Sequence, residues 1–162
     1  PLCALCPWSA YCAGRRAGIA AALPRRTERP PRPRRFGVHF WLTDAQDRVL
    51  LRRRPHQGLL GGMTELPGTP WRADPWRAAE AFAHAPMPLD WRPAGQVRHG
   101  FTHFELAIDL FAARAERIDA EGSLVMLDRL AHEALPALMR KCVAMAQGET
   151  PAAGVNRRSN QR

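Results

Sequence analysis

The sequence of residues 36–54 is FGVHFWLTDAQDRVLLRRR. Two runs rich in aliphatic and aromatic residues, 36–42 and 48–54, flank the polar segment 43–47, which favours a turn. This pattern predicts a β-hairpin at the start of a folded domain. Side chains alternate between the two faces of a strand, so Arg53 is expected to point away from Arg52 and Arg54.

The segments that follow predict an α+β sandwich spanning residues 36–146. A glycine-rich loop, Gly58-Leu-Leu-Gly-Gly62, comes first, and residues 75–84 favour a short helix. Two further strands are expected within 95–114. An amphipathic helix is expected from Leu135 to Met145, with Pro136 in its first turn. Strands, one helix, more strands and a closing helix are typical of the α+β class.

The positive charge of the chain is concentrated before this domain. The formal net charge is +9, and residues 15–35 carry eight arginines against one acid, Glu28. Such a basic segment favours a polyanionic partner, above all nucleic acid. Proline favours an extended, semi-stiff chain, so residues 15–35 are predicted to be a linker. Its prolines are Pro24, Pro30, Pro31 and Pro33.

The two ends of the chain differ from the domain in composition. Residues 147–162 lack apolar residues at any regular period, and they are predicted to be a disordered tail. No stretch of the chain is apolar for long enough to predict a membrane span. Residues 1–14 hold three of the four cysteines.

Cys3, Cys6 and Cys12 follow the spacing C-x2-C-x5-C. Thiolates at this spacing can hold one metal centre, and the reducing cytoplasm, the expected compartment, favours metal binding over disulfides. Three ligands are one short of the usual four. Two alternatives stay open: the cysteines are small buried hydrophobes, or a zinc site is completed by Cys142 or a histidine. Cys142 lies within the closing helix, where a thiol of the core is expected.

The cysteine spacing resembles the last three ligands of the C-x6-C-x2-C-x5-C loop of the endonuclease III and MutY glycosylases. Cys6-Pro7-Trp8 fits the same loop. The resemblance implies a 4Fe-4S cluster whose first cysteine precedes Pro1. The chain is therefore expected to be the C-terminal part of a longer protein.

Other motifs, within residues 36–146, support the same family, and their order along the chain agrees with it. They resemble motifs of the Nudix-like C-terminal domain of MutY, a domain that plain endonuclease III lacks. Residues 134–141 resemble its closing helix, and Thr102 stands where the family more often has Ser. The motifs are Arg52-Arg-Arg-Pro55, Gly58–Gly62, Glu65-Leu-Pro-Gly68 and His99-x-Phe101-Thr102-His103.

The resemblance implies that the parent protein is a base-excision-repair adenine DNA glycosylase, active on duplex DNA with adenine opposite 8-oxoguanine or guanine. The implied protein is a bacterial, cytoplasmic, nucleoid-associated monomer. The catalytic Glu and Asp of the family lie in a helical N-terminal region, so no residue of this chain is expected to be catalytic. This part of the protein would recognise the lesion and bind DNA.

Several residues are candidates for those two tasks. The hydroxyl of Thr102 both donates and accepts, which suits the altered edge of 8-oxoguanine. Phe101 could wedge between bases or hold the loop, and His103 could fix the loop or meet a phosphate. His99 is a further candidate for lesion recognition. The alternative is that these are ordinary structural residues. For DNA binding the candidates are the backbone of Gly58 and Leu59 and the side chains of Arg25, Arg26, Arg32 and Arg34.

Two other functions stay open. One is a stand-alone nucleic-acid-binding module, and the other is a Nudix nucleotide hydrolase. Hydrolysis needs several carboxylates to hold Mg²⁺, supplied by the box G-x5-E-x7-R-E-U-x-E-E. The expected helix near residues 78–84 offers only Glu80, so hydrolase activity is not expected.

Overall fold

A computed structural model describes residues 1–25 and 31–148, and the chain divides into two compact units, Pro1–Pro31 and Arg32–Arg162. The first unit holds a 3-10 turn at Cys3–Leu5, helix α1 at Ala13–Arg16 and a second 3-10 turn at Ala20–Ala22. The predicted linker thus starts with helical turns instead of extended chain. The reason is its alanine content, which favours helix, since its first proline comes only at Pro24.

The second unit is a mixed sheet with helices on either side. Helix α2 spans Ala78–Phe82, a 3-10 helix spans Leu127–His132, and helix α3 spans Ala137–Ala146. The strands are β1 Arg34–Thr43, β2 Arg48–Arg53, β3 Thr64–Glu65, β4 Arg92–Gly100, β5 Glu105–Arg114 and β6 Ser123–Met126.

The strand order is β3-β2-β1-β5-β4, and β6 pairs with β2. β1 and β5 run parallel along their whole length, from Arg34 opposite Glu105 to Thr43 opposite Arg114. β4 and β5 form an antiparallel hairpin. β1 begins two residues before the predicted domain boundary at residue 36, because Arg34 and Arg35 continue its ladder with β5.

Each face of the sheet has its own apolar core. One cluster combines buried residues of α3 with alternate residues of β5, namely Leu106, Ile108 and Leu110. Val38, Phe40 and other residues belong to a second cluster with α2 and Trp91. The period of two along the strands directs these sets to opposite faces.

The α+β sandwich predicted from the sequence is confirmed. The hairpin of β1 and β2, the short helix, the two strands within 95–114 and the closing helix after Pro136 are all present. β3, β6 and the 3-10 helix were not expected from the sequence. The tail prediction for residues 149–162 lies outside the described residues. In the part of the chain that the structure describes, no helix has the length and apolar character that crossing a bilayer requires.

Candidate functional site

A tight turn, Phe101–Phe104, joins β4 to β5. The Phe101 N–H donates to the Phe104 carbonyl at 2.8 Å, directly beyond the last strand pair, Gly100 opposite Glu105. Both phenylalanines are half-buried, whereas Thr102 and His103 are exposed. The turn therefore presents one hydroxyl and one imidazole to solvent from an apolar base.

An aromatic cluster forms that base. The ring centroid of Phe101 lies 4.9 Å from that of Phe104 and 5.8 Å from that of Trp71. His99 meets Phe101 edge-on at 4.8 Å. Edge-on and tilted contacts at these separations are favourable for aromatic rings. Phe101, predicted either to wedge between bases or to hold the loop, thus contacts three other rings.

Burial lowers the pKa of His99, and the nearby ammonium of Lys141 lowers it further. Both effects favour the neutral ring. Its Nδ1 is buried and has no hydrogen-bond partner among the described residues. A neutral ring packed on Phe101 favours a role in supporting the turn over contact with a phosphate.

Arginines surround the turn. The Arg32 guanidinium donates to the Phe101 carbonyl at 3.0 Å, and the Arg35 guanidinium lies 4.9 Å above the Phe104 ring. Arg34 approaches Glu105 at 3.9 Å in an exposed pair. Two of the four predicted DNA-binding arginines, Arg32 and Arg34, thus lie beside the predicted lesion-reading loop.

The other two predicted arginines are elsewhere. Arg25 is exposed in the first unit, and Arg26 lies outside the described residues. Near the turn, a cavity of about 400 Å³ opens beside β1, β4 and β5. Its lining includes Arg34, Phe36, Arg98, Gly100 and Glu105.

A buried carboxylate lies close to the aromatic cluster. Glu65 is 1% exposed and accepts from Arg52 at 3.0 Å and from Arg54 at 2.5 Å. Arg53 is exposed, as the alternation along β2 predicts. The Arg54 guanidinium lies 4.6 Å above the Trp71 ring, so the ion pair and the aromatic cluster form one contiguous group.

The glycine-rich loop closes on itself. The N–H groups of Gly61, Gly62 and Met63 donate to carbonyls within residues 55–60. Gly58 has a φ of +88°, and Leu59 is 45% exposed. The predicted phosphate contact at Gly58 and Leu59 would therefore draw on the N–H groups before Gly61.

Helix α2 lacks the carboxylates that a hydrolase needs. Its one carboxylate, Glu80, is bound to Arg72 at 2.7 Å, and that hydrogen bond lowers the pKa of Glu80. When the hydrolase box is counted from Gly68, only its first glutamate position holds an acidic residue, Asp74. Phe82 stands at its arginine position, and the remaining glutamate positions hold Ala83, Pro86 and Met87.

The three predicted metal ligands lie in the first unit. Cys3 and Cys12 are half-buried and Cys6 is exposed. Within residues 1–25 and 31–148, no three ligating side chains come together around one point. The cysteines do not form a metal site by themselves in this arrangement, and their role as iron ligands stays a prediction. Cys142 is fully buried in α3, and burial raises the pKa of its thiol to about 12, as expected of a core thiol.

Several residues of the site were missed from the sequence. The sequence did not assign four residues to the site that lie in or against the cluster under the turn: Trp71, Phe104, Arg35 and Glu65. One signal was available, because Arg52 and Arg54 share a face of β2 and therefore favour a common acidic partner. Trp71 lies about 30 residues from the turn, and no sequence period links the two.

Comparison with known proteins gives one family. The family model described as "NUDIX domain" matches residues 38–145. A search of curated proteins returned no match.

Several solved structures share the fold. A MutT protein from Methanosarcina mazei Go1 is 21% identical, with a TM-score of 0.57 over 74% of this chain and 97% of its own. The C-terminal domain of mouse MUTYH, solved in complex with human PCNA, is 18% identical, with a TM-score of 0.55 over 70% of this chain and 88% of its own. A MutT NUDIX hydrolase from Burkholderia pseudomallei is 18% identical, with a TM-score of 0.54 over 69% and 97%. At these identities the likeness extends to the fold alone.

Proposed function

We infer the function from one premise, that this chain belongs to the NUDIX domain family, whose model matches residues 38–145. We propose that the chain is the C-terminal part of an adenine-specific mismatch DNA glycosylase of the MutY type. In this role the domain binds duplex DNA and recognises 8-oxoguanine opposite adenine. The single observation that carries the proposal is the Phe101–Phe104 turn, which exposes Thr102 and His103 above a packed aromatic base.

The geometry of the turn suits the reading of a base edge. Oxidation of guanine to 8-oxoguanine replaces an acceptor at the base edge with an N–H donor, and the Thr102 hydroxyl can accept from it or donate to a neighbouring acceptor. The base of the turn is held by ring contacts and by Arg32. Because these contacts already restrict the turn, it would lose little conformational freedom on binding DNA, which favours affinity.

The same domain is poorly equipped for the chemistry of a nucleotide hydrolase. Mg²⁺ requires hard oxygen ligands, usually carboxylates together with substrate phosphates. α2 supplies only Glu80, which Arg72 already occupies, and Phe82, Ala83, Pro86 and Met87 stand at the later specified positions of the box. A fold can persist while its original chemistry is lost.

The remaining parts of the proposal concern the longer protein. Cleavage of the N-glycosidic bond of a flipped adenine would fall to residues outside this chain. Cys3, Cys6 and Cys12 would hold a 4Fe-4S cluster together with an upstream cysteine. The protein would act as a monomer on nucleoid DNA in the bacterial cytoplasm. The fold likeness to the MUTYH C-terminal domain supports a repair context.

The test is binding of the 162-residue chain to two duplexes that differ only in 8-oxoguanine:adenine against guanine:adenine, at one fixed salt concentration. The expected result is tighter binding to the oxidised duplex. Release of pyrophosphate from nucleoside triphosphates with Mg²⁺ is measured in parallel and is expected to be absent. Equal affinity for the two duplexes, together with Mg²⁺-dependent pyrophosphate release, would contradict the proposal and indicate a nucleotide hydrolase instead.

A further inference from the structure

We propose that Trp71 is a positioning residue for the Phe101–Phe104 turn and that the buried pair of Arg54 and Glu65 holds Trp71 in place. A consequence for specificity follows: Trp71 sets how well Thr102 discriminates 8-oxoguanine from guanine. This consequence rests on the proposed function, whereas the fixing of the turn by Trp71 is independent of it.

Trp71 contacts both rings of the turn. Its ring centroid lies 5.8 Å from that of Phe101 and 6.3 Å from that of Phe104. It also packs on β1 at Gly37, where an added Cβ would lie 2.7 Å from the indole Cδ1. Only glycine at position 37 permits this approach. Trp71 is therefore packed between the central strand and the turn.

Ring packing holds Trp71, and no indole hydrogen bond from the described part of the chain assists it. The indole Nε1 is buried and has no partner among the described residues. The Arg54 guanidinium lies over the ring at 4.6 Å, where a cation is attracted to the negative face of an aromatic system. The position of Trp71 thus depends on where Arg54 is held.

Arg54 is held by a buried charge. Its guanidinium donates to Glu65, which is 1% exposed and also accepts from Arg52. A second donation from Arg52 to the Gly68 carbonyl at 2.7 Å ties this pair to the chain that leads to Trp71. A buried carboxylate with two guanidinium partners defines one geometry, because any displacement would leave charge without a partner.

These contacts form a continuous path from the buried carboxylate to the turn, by way of Arg54, Trp71 and Phe101. The turn has three further attachments: His99 edge-on to Phe101, Arg32 on the Phe101 carbonyl and Arg35 over Phe104. Both of these arginines belong to the edge of the basic segment. The path through Trp71 reaches the interior of the domain, and it therefore fixes the turn relative to the sheet.

The chain contains a matched control for this arrangement. Trp76 lies under the Arg72 guanidinium at 3.9 Å, and Arg72 is bound to Glu80 at 2.7 Å. This second stack has the same kinds of group, although its carboxylate is half exposed and is bound to one arginine. It contacts His84 instead of the turn, and the Trp76 indole donates to the Pro70 carbonyl. The effect of removing a half-buried tryptophan can thus be separated from the effect of removing support from the turn.

The experiment compares Trp71→Leu, Trp71→Phe and Trp76→Leu in the full chain. The first readout is hydrogen exchange of the Phe101 amide, which is protected by its bond to Phe104 at 2.8 Å. Trp71→Leu should speed this exchange by about tenfold through local opening, while Trp76→Leu should not. Trp71→Phe should retain protection, because the phenyl ring keeps the stacking and the indole makes no hydrogen bond that the variant would lack.

The second readout is the ratio of affinities for the 8-oxoguanine:adenine and guanine:adenine duplexes. Trp71→Leu should lower this ratio about fivefold, the lower end of the effect of removing a hydrogen bond to a base, and Trp76→Leu should leave it unchanged. If Trp71→Leu does not fold, Arg54→Met with Arg72→Met as its control gives the same comparison.

The outcomes separate the two proposals. Equal exchange of the Phe101 amide in the Trp71 and Trp76 variants would overturn the positioning role, whatever the duplexes show. Faster exchange in Trp71→Leu with an unchanged affinity ratio would confirm that Trp71 fixes the turn and overturn its effect on specificity. An unmodified chain with no preference between the duplexes would instead contradict the proposed function.

Discussion

The turn between β4 and β5 and helix α2 belong to the same domain, and they differ in how they are supported. The turn stands on a group of buried or half-buried side chains that ends at Glu65, which is 1% exposed. The Glu80 side chain on α2 is 46% exposed, and the helix spans only Ala78–Phe82. Internal contacts are concentrated under the element proposed to read DNA, while the element that carries catalysis in a hydrolase is short and nearly free of carboxylates.

The largest difference between the two regions should appear in stability. Glu65→Ala should lower the free energy of unfolding by about 2–3 kcal/mol, because two guanidinium groups lose a buried partner. Both arginines reach solvent, which keeps the effect below that of breaking a fully buried pair. Glu80→Ala, which breaks an exposed pair, should lower the midpoint of denaturant unfolding only slightly. Similar destabilisation in the two variants would contradict the difference in support between the turn and α2.

The pH dependence of stability sharpens the same contrast. Burial lowers the pKa of His39, which lies near Glu65 and donates from Nδ1 to the Leu66 carbonyl at 2.9 Å. The unfolded chain then takes up a proton first, so stability should fall as pH drops below 6.5, by at most about 1.4 kcal/mol per pH unit. His39→Gln should reduce this slope in urea unfolding measured from pH 7.5 to 5.5, and the remaining slope should come from His99, whose pKa burial also lowers.

Glu80 provides the opposite case. Its pKa lies below 4.5 because Arg72 donates to it, so its stabilising contribution is present above that value and is lost as pH falls through the folded pKa. Glu80→Gln should therefore alter the profile only under acidic conditions. A slope of stability against pH near pH 6 that decreased in Glu80→Gln but not in His39→Gln would contradict the assignment of this slope to His39.

Much of the fold could be predicted from the sequence, because β1, β2, β5 and α3 carry clear apolar periods. The parallel pairing of β1 with β5 could not, since it joins segments about 70 residues apart. β6 is only four residues long, too short for a period to be distinctive. Local patterns specify elements, and distant pairings require the packed structure.

The site was predictable in part for the same reason. Thr102 and His103 could be proposed as site residues because they lie together in one short motif, and both are exposed. Trp71 and Glu65 support that motif from other segments of the chain, and their contacts depend on the pairing of β2 with β3 and on the course of residues 66–72 along β1. Alternation on β2 indicated that Arg52 and Arg54 share a face, but the identity of their partner came from tertiary structure.

The smallest expected effect concerns the basic segment. Arg25→Ala with Arg26→Ala should reduce the slope of log affinity against log salt by roughly 0.9 for each phosphate that is no longer neutralised. The preference between the two duplexes should not change, because phosphate contacts position the protein and base contacts give specificity. Arg117→Ala, an exposed arginine beyond the far end of β5, serves as the control. An unchanged slope in the double variant would mean that the segment is only a solvated spacer.

The most direct test of the central claim is the affinity ratio for 8-oxoguanine:adenine over guanine:adenine duplexes in Thr102→Val, measured at fixed salt. Valine keeps the shape of the side chain and removes the hydroxyl, so the preference should weaken by about 1–3 kcal/mol, while affinity for guanine:adenine stays nearly constant. Thr102→Ser, which keeps the hydroxyl, should behave like the unmodified chain. An equal decrease of affinity for both duplexes in Thr102→Val would make Thr102 a structural residue and contradict the reading of damage by this turn.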